Sequence, residues 1–94
     1  MRQLINQIND SAFFGTIQYP VKGDYLVVVT HKGVENEYFF NTFSTAQEFF
    51  FGVCEDIIEG LAWDINLVQF FKVENGNLYV VQSPFVYGDN RRIN

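Results

Sequence analysis

The sequence predicts a single α+β domain: an antiparallel sheet of about five strands with one main helix packed on it and a short N-terminal helix, in the order αβββαββ. Two observations predict this class. Five short runs alternate apolar with polar residues or are rich in β-branched and aromatic residues, and turn residues separate them. A longer segment between the third and fourth runs has apolar residues at helical spacing instead. The length of 94 residues is typical of one domain, so we interpret residues 1–94 as a single unit.

The chain opens with apolar residues at helical spacing, which predicts a short helix that ends near Asp10. A helix of fewer than about twelve residues is unstable alone in water, so we expect it to pack on the rest of the domain. The apolar stripe of this helix consists of Met1, Leu4, Ile5 and Ile8.

Two strands are predicted next. Alternation indicates a first strand from Ala12 to Val21, with a bulge at Gly15. Pro20 and the turn residues 22–24 end this strand. The following run, Tyr25–His31, is apolar on both faces, which is typical of a central strand covered on both sides.

The third run, Val34–Phe40, follows a turn at residues 32–33. Glu35 and Glu37 lie on one of its faces, and the other face carries Val34, Asn36, Tyr38 and Phe40. Because short turns join the first three runs, we expect them to pair in chain order as a meander.

Two overlapping capping boxes predict the start of the main helix. Ser44 is followed three residues later by Gln47, and Thr45 by Glu48. Gly60 marks the end of the helix. The stripe that should pack on the sheet consists of Phe50, Val53, Cys54, Ile57 and Leu61.

Two further strands follow the helix, Leu67–Val73 and Leu78–Gln82. The pair Asn75–Gly76 between them predicts a tight hairpin, because a type I′ turn needs two residues with positive φ. Pro84 should end the last regular strand, after which Phe85–Tyr87 add at most a short edge strand.

The solvent side of the main helix combines carboxylates with aromatic borders. At about 100° per residue, Phe49 and Phe51 lie at the two borders of the buried stripe, on either side of Phe50. Either these rings widen the contact with the sheet, or at least one of them contacts another macromolecule together with the carboxylates. Gly52 costs an exposed helix roughly 1 kcal/mol relative to alanine, so it either permits close approach of a partner backbone or has no role. The ridge opposite the stripe consists of Glu48, Gly52, Glu55 and Glu59, with Asp56 beside it.

Charge is strongly segregated along the chain. The protein has 11 acidic and six basic residues, a net charge of −5, which argues against direct binding to nucleic acid or to an anionic membrane. No basic residue lies between Lys32 and Lys72. A one-sided negative field accelerates encounter with a positive surface on another protein. The seven carboxylates in this gap are Glu35, Glu37, Glu48, Glu55, Asp56, Glu59 and Asp64.

No residue pattern predicts catalysis, a metal site or a cofactor. Cys54 and His31 are the only residues of their types, and Cys54 lies in the middle of the buried stripe, where a thiolate is disfavoured. Zinc needs about four ligands, mostly nitrogen or sulfur, and Cys54 and His31 supply only two. The carboxylates from Glu55 to Asp64 spread over more than one helix face and lack the glycine-turned loop that wraps calcium. We therefore expect a non-enzymatic protein without a cofactor.

The chain also lacks the marks of export or membrane insertion. Its single cysteine excludes an internal disulfide, and no run approaches the roughly 18 apolar residues of a membrane span. Polar residues interrupt the first ten residues, so no signal-peptide core is present in them. We expect a soluble, cytoplasmic protein.

These features lead to two main hypotheses. In the first, the chain is a small acidic inhibitor that binds a basic, nucleic-acid-handling protein and occludes its surface. By class analogy alone, its size and charge are similar to those of small acidic anti-CRISPR and other phage anti-defence proteins, and of immunity proteins against nuclease toxins. In the second, it is a structural module that forms homodimers or larger assemblies through aromatic residues on a free sheet face. A third, a small-ligand binder or enzyme, would require an apolar pocket with convergent polar groups.

The first hypothesis predicts ten partner-binding residues, drawn from the acidic gap and from the solvent side of the main helix. They are Glu35, Glu37, Glu48, Phe49, Phe51, Gly52, Glu55, Asp56, Glu59 and Asp64.

Overall fold

A computed structural model describes residues 13–62 and 64–86 of the chain. It confirms the α+β class, with one antiparallel sheet of five strands and one main helix packed on it. The predicted N-terminal helix lies outside the described residues, as does Tyr87. In chain order the elements are β1 (Phe13–Thr16), β2 (Tyr25–His31), β3 (Val34–Phe40), α1 (Phe43–Ile58), β4 (Ile65–Glu74) and β5 (Asn77–Val86).

The strand order across the sheet is β1-β5-β4-β2-β3, and all neighbouring strands are antiparallel. The predicted pairing of β2 with β3 and of β4 with β5 is confirmed. The predicted meander is wrong at its first step, because β1 pairs with β5 at one edge of the sheet rather than with β2.

The segment between β1 and β2 explains that difference. The first strand ends at Thr16, and residues 17–24 cross one face of the sheet instead of extending the strand to Val21. The Ile17 N–H donates to the Gly76 carbonyl next to β5, and the Tyr19 hydroxyl donates to Glu37 on β3 at the opposite edge. This crossing places β1 far from β2, although the two are neighbours in sequence.

The hairpin turns follow the sequence signals. Asn75 and Gly76 have φ of 54° and 81°, as the predicted type I′ turn requires, and Lys32 and Gly33 have 54° and 82°. The register between β1 and β5 shifts between Phe13 and Gly15, which confirms the predicted bulge.

Pro84 does not end the last strand, contrary to the prediction. Val68 pairs with Phe85 and Phe70 pairs with Gln82, so the two residues 83 and 84 oppose the single residue Gln69. Proline is tolerated in a strand at such a bulge, because its missing N–H is not needed for the ladder there. Phe85 and Val86 therefore continue β5 rather than forming a separate edge strand.

Helix α1 begins earlier than the capping boxes predict. Thr42 is the N-cap: its backbone is extended, and its hydroxyl oxygen accepts a hydrogen bond from the Thr45 N–H at 3.3 Å. Ser44 and Thr45 consequently lie inside the first turn. Sequence spacing could not choose among three nearby Ser and Thr residues, because each offers a short hydroxyl side chain suited to a cap.

The end of α1 is a Schellman motif. Gly60 has a φ of 84°, its N–H donates to the Ile57 carbonyl, and the Leu61 N–H donates to the Asp56 carbonyl. The positive φ turns the chain away from the helix axis. Leu61 is therefore 72% exposed, and its predicted place in the buried stripe is wrong.

The core has two layers, one on each side of the sheet, so β2 is covered on both faces as predicted. Toward α1 the buried residues are Val27, Val29, Ala46, Phe50, Cys54, Ile57, Val68 and Phe70, and Val53 packs against them half-buried. On the second face they are Leu26, Val28, Phe71, Val73 and Leu78. Within the described ranges, no helix has the length and apolarity needed to cross a bilayer.

Candidate protein-binding surface

The two border phenylalanines of α1 have different surroundings. The centroid of the Phe49 ring lies 4.8 Å from that of Tyr38 and 5.3 Å from that of Phe40, both on β3. Phe51 is 44% exposed, with its ring edge-on to Phe50 of the same helix. Phe49 thus widens the contact between helix and sheet, whereas Phe51 stays on the surface.

The C-terminal end of α1 carries an acidic cluster, which we define as Glu55, Asp56 and Glu59. All three side chains are exposed, as is that of Glu48, which lies nearer the N-terminus of α1. Within residues 13–62 and 64–86, no ion pair or side-chain hydrogen bond engages any of these carboxylates. Their negative charge is therefore directed to solvent.

The acidic cluster opposes the helix dipole. The C-terminal end of a helix carries the equivalent of about half a negative charge, so carboxylates there are repelled. The first turn of α1 contains no acidic residue, and its last turn contains no basic one. This distribution is the reverse of the stabilising one, so the cluster does not serve the stability of the helix.

Exposed apolar side chains lie beside the acidic cluster. Ile58 is 63% exposed and follows Phe51 by seven residues, so the two share one side of the helix. Leu61, just beyond the helix, is also exposed. Ile58 is not among the residues predicted to bind a partner, although its spacing of seven residues from Phe51 was a usable signal.

Glu35 and Glu37 lie away from α1. Glu37 pairs in register with Val28, whose side chain is buried on the second face of the sheet, and Glu35 pairs with Thr30 on the same face. The Tyr19 hydroxyl donates to Glu37, and this hydrogen bond raises the pKa of Tyr19 to about 12. The structure therefore does not bring the two glutamates together with the helix carboxylates.

Asp64 is a paired carboxylate. Its Oδ2 lies 3.5 Å from Nε2 of His31 and 3.6 Å from Nζ of Lys32, both at the turn between β2 and β3. Asp64 is half-buried, unlike the cluster on α1. It therefore holds the β2–β3 turn against the start of β4 and adds little to the free negative field.

Gly52 lies on the solvent side of α1, among the carboxylates. A Cβ at this position would have no neighbouring heavy atom within 4 Å, so no contact with the described part of the chain requires glycine there. The space that glycine leaves is open to a partner, as one of the two interpretations from the sequence requires.

Cys54 is buried between α1 and the sheet, and burial raises the pKa of its thiol to about 11. A thiol with this raised pKa holds about a hundredfold less thiolate at neutral pH than an ordinary cysteine, and the thiolate is the reactive form. We expect iodoacetamide at pH 8 to alkylate Cys54 at least a hundredfold more slowly in the folded protein than in urea, as measured by mass spectrometry. Equal rates would contradict the packing of α1 on the sheet.

An open groove of about 510 Å³ runs along β3 and is the feature most relevant to a small-ligand hypothesis. The segment 19–22 forms one wall and residues 37–40 form the other. Its carboxylate, Glu37, is already engaged by Tyr19. Among the described residues, no group of three or more His, Cys, Asp or Glu side chains is arranged to hold a metal ion.

Comparison with known proteins adds no further assignment. No known protein family matches the chain, and neither a curated protein nor a solved structure is significantly similar to it.

Proposed function

We propose that the protein is a non-enzymatic inhibitor that binds a basic surface on another protein through the C-terminal half of α1 and occludes that surface. The observation that carries the proposal is the acidic cluster, which no cation of the described residues neutralises and which lies beside the exposed side chains of Phe51 and Ile58. Carboxylates around an exposed apolar centre have the composition of a protein interface with an electrostatic rim.

The energetic cost of the cluster supports this function. Each charge that opposes the helix dipole destabilises an exposed helix end by about 0.3–1 kcal/mol at low salt. Charges that destabilise a helix and stabilise nothing else in the structure are typical of functional surfaces. A positive partner would remove this repulsion on binding, so the same carboxylates that weaken the free protein would strengthen the complex.

The negative charge on α1 indicates the chemistry of the partner. Glu48 and the three carboxylates of the acidic cluster lie on one side of the helix and attract a surface rich in lysine and arginine. Nucleic-acid-handling proteins present such a surface to phosphates. By class analogy alone, the chain is similar in size and charge to small acidic anti-CRISPR, other phage anti-defence and nuclease-immunity proteins.

Neutralising the acidic cluster tests the proposal. We expect the variant Glu55→Gln, Asp56→Asn, Glu59→Gln to lose at least tenfold in affinity for the partner captured from host lysate at low salt. The same variant should melt a few degrees higher than the wild type, because the repulsion at the helix end is removed. Affinity chromatography at low and high salt and thermal unfolding by circular dichroism measure the two effects.

The matched control changes the same number of charges away from the helix. Asp24→Asn, Glu35→Gln, Glu74→Gln removes three exposed carboxylates and should keep the affinity within about threefold. If both triple variants retain the partner equally, the cluster is a solvated face and the proposal is wrong.

A further inference from the structure

Strand β3 forms one edge of the sheet and lacks the features that usually protect an edge strand. Natural edge strands are commonly short, bulged, or interrupted by lysine or proline. At the other edge of the described sheet, β1 has four residues and a bulge. β3 has seven residues, contains neither lysine nor proline, and pairs with β2 along its whole length without a bulge. The two edges therefore differ in their capacity to accept another strand.

The backbone of β3 directs the N–H and C=O groups of every second residue away from β2. A two-residue type I′ loop at residues 32–33 joins the two strands, so the flanking residues His31 and Val34 form the first hydrogen-bonded pair. Along an antiparallel ladder, such pairs alternate with residues whose backbone groups face outward. The outward-facing residues of β3 are Glu35, Glu37 and Phe39. No group in the described part of the chain hydrogen-bonds to the backbone of these three residues.

An extended segment is the ligand that fits this edge. Its alternate backbone groups can bond to the outward groups of β3, whereas the backbone groups of a helix already bond to one another. On the helix side of the sheet, its side chains would cover Val34 and Tyr38, which are 62% and 42% exposed. On the second face, they would lie against the groove between residues 19–22 and 37–40.

Negative charge at this edge favours a basic segment. Glu35 and Glu37 are both exposed on the second face, and no described cation pairs with either of them. The pKa of Tyr19 is raised to about 12 by its hydrogen bond to Glu37, by burial, and by the charges of Glu37 and Glu35. A lysine or arginine opposite Glu35 would therefore meet an unpaired carboxylate, with Glu37 in reach at the diagonal position.

The same charges disfavour a second copy of the chain as the added strand. Two copies of β3 would pair antiparallel about a two-fold axis through one residue position. The register that pairs the whole strand places Glu37 directly opposite its own copy, and an axis at Asn36 places Glu35 opposite Glu37. Like charges directly opposite each other destabilise a ladder. An axis at Tyr38 avoids both contacts only by leaving the start of the strand unpaired.

The residues outside the described ranges are poorly placed to fill this edge. Residues 1–12 join β1 at the opposite edge, and strands lie about 4.8 Å apart, so about 24 Å separates that point from the free side of β3. An extended chain advances about 3.4 Å per residue, so roughly seven of these residues would be used in crossing. Residues 87–94 follow β5 and would use about six in the same way. The remainder of either segment is shorter than β3.

We propose that the free edge of β3 binds an extended, basic segment of another protein, which adds to the sheet as a further antiparallel strand with lysine or arginine opposite Glu35. Backbone hydrogen bonds supply the affinity, and alternation of apolar and basic side chains supplies the specificity. This site is separate from the acidic cluster on α1, so the inference concerns a different ligand and does not depend on the proposed function.

Two N-methylated peptides test the proposal on the full-length, ¹⁵N-labelled protein. Both have the sequence VKVKVKV with blocked ends, and one carries N-methyl groups on its two inner valines, the other on two of its lysines. Lysines that lie opposite Glu35 and Glu37 direct their N–H groups toward β3. We expect the valine-methylated peptide to shift the amide signals of Glu35, Glu37 and Phe39. It should bind at least tenfold more tightly than the lysine-methylated peptide, which loses two backbone hydrogen bonds.

Amide hydrogen exchange of the free protein checks that the edge is open. The amides of Glu35, Glu37 and Phe39 should exchange at least tenfold faster than those of Asn36 and Tyr38, which bond to β2, and the valine-methylated peptide should slow them. Protection in the free protein that persists on dilution would make another part of the chain the occupant. Protection that is lost on dilution would make the occupant a second copy. Either result overturns the proposal.

Two glutamine variants test the recognition of charge. Glu35→Gln should weaken binding of the valine-methylated peptide at least threefold, whereas Glu74→Gln, at the exposed end of β4, should change it less than twofold. Absence of binding, or equal affinity of the two peptides, would overturn strand addition. Equal affinity of the two glutamine variants would overturn recognition of a basic segment. Neutralising the acidic cluster should change peptide affinity less than twofold, so this proposal and the proposed function can fail separately.

Discussion

Replacing Phe70 by alanine is expected to destabilise the protein more than any other single truncation considered. Phe70 is 1% exposed, and its ring centroid lies 5.5 Å from that of Phe50, 5.6 Å from Phe43 and 6.3 Å from Tyr25. It thus joins the central strand β4 to the N-terminal half of α1 and to β2. A Phe-to-Ala change at such a site costs about 3–5 kcal/mol, out of a total stability of about 5–15 kcal/mol for a small domain.

Urea unfolding followed by circular dichroism measures this loss as a fall in the free energy of unfolding. Phe51→Ala is the matched control, because it removes the same side chain from the exposed side of α1 and should cost about 1 kcal/mol or less. If the two variants have equal stability, the packing of α1 on β4 is not as described.

Replacing Gly23 by alanine is expected to destabilise the protein by about 1–3 kcal/mol or more. A Cβ at Gly23 would lie 2.5 Å from the carbonyl oxygen of Phe40, 2.9 Å from its carbonyl carbon and 3.0 Å from its nitrogen. These atoms belong to the backbone of β3, so no change of rotamer can relieve the overlap. The chain before β2 must move, and the pairing of Tyr25 with Phe40 would be strained.

Gly52→Ala is the control for Gly23→Ala and should have the opposite effect. The added methyl group at Gly52 meets open space within a helix, where alanine is favoured over glycine by about 1 kcal/mol. Thermal unfolding should therefore show a lower melting temperature for Gly23→Ala and a higher one for Gly52→Ala. If both variants changed the melting temperature in the same direction, contact with the backbone of β3 would not be the reason that residue 23 is glycine.

Gly52→Ala also separates the two interpretations of this glycine. If the stabilised variant keeps its partner, glycine has no role in binding. If it loses affinity while it gains stability, the open space at Gly52 is occupied by the partner in the complex, which is a common relation between stability and function at binding surfaces.

The carboxylates predicted to bind a partner differ in their contacts within the protein. Glu37 bonds to Tyr19 and Asp64 pairs with His31 and Lys32, so both contribute to the connections around β3 and β4. The acidic cluster on α1 makes no such contact in the described part of the chain. One run of like charge in the sequence thus contains both structural and unengaged carboxylates, and only the unengaged ones are available to a partner.

Local patterns in the sequence determined most of the elements. Alternation predicted that Glu35 and Glu37 share a face of β3, and the need for two positive φ angles predicted the turn at Asn75–Gly76. The apolar stripe of the helix predicted the burial of Phe50, Cys54 and Ile57. These features depend on the period of the backbone or on single-residue conformational preference, so neighbouring residues suffice to specify them.

Tertiary structure decided which elements meet. Alternation specifies the face of a strand but not its neighbour, so the pairing of β1 with β5 depends on the path of residues 17–24 across the sheet. The two borders of α1 are equivalent in the helical projection, and they differ only because one helix cannot cover five strands and packs closer to β3. That displacement half-buries Phe49 against β3 and leaves Phe51 exposed, and a choice of this kind depends on contacts between residues distant in sequence.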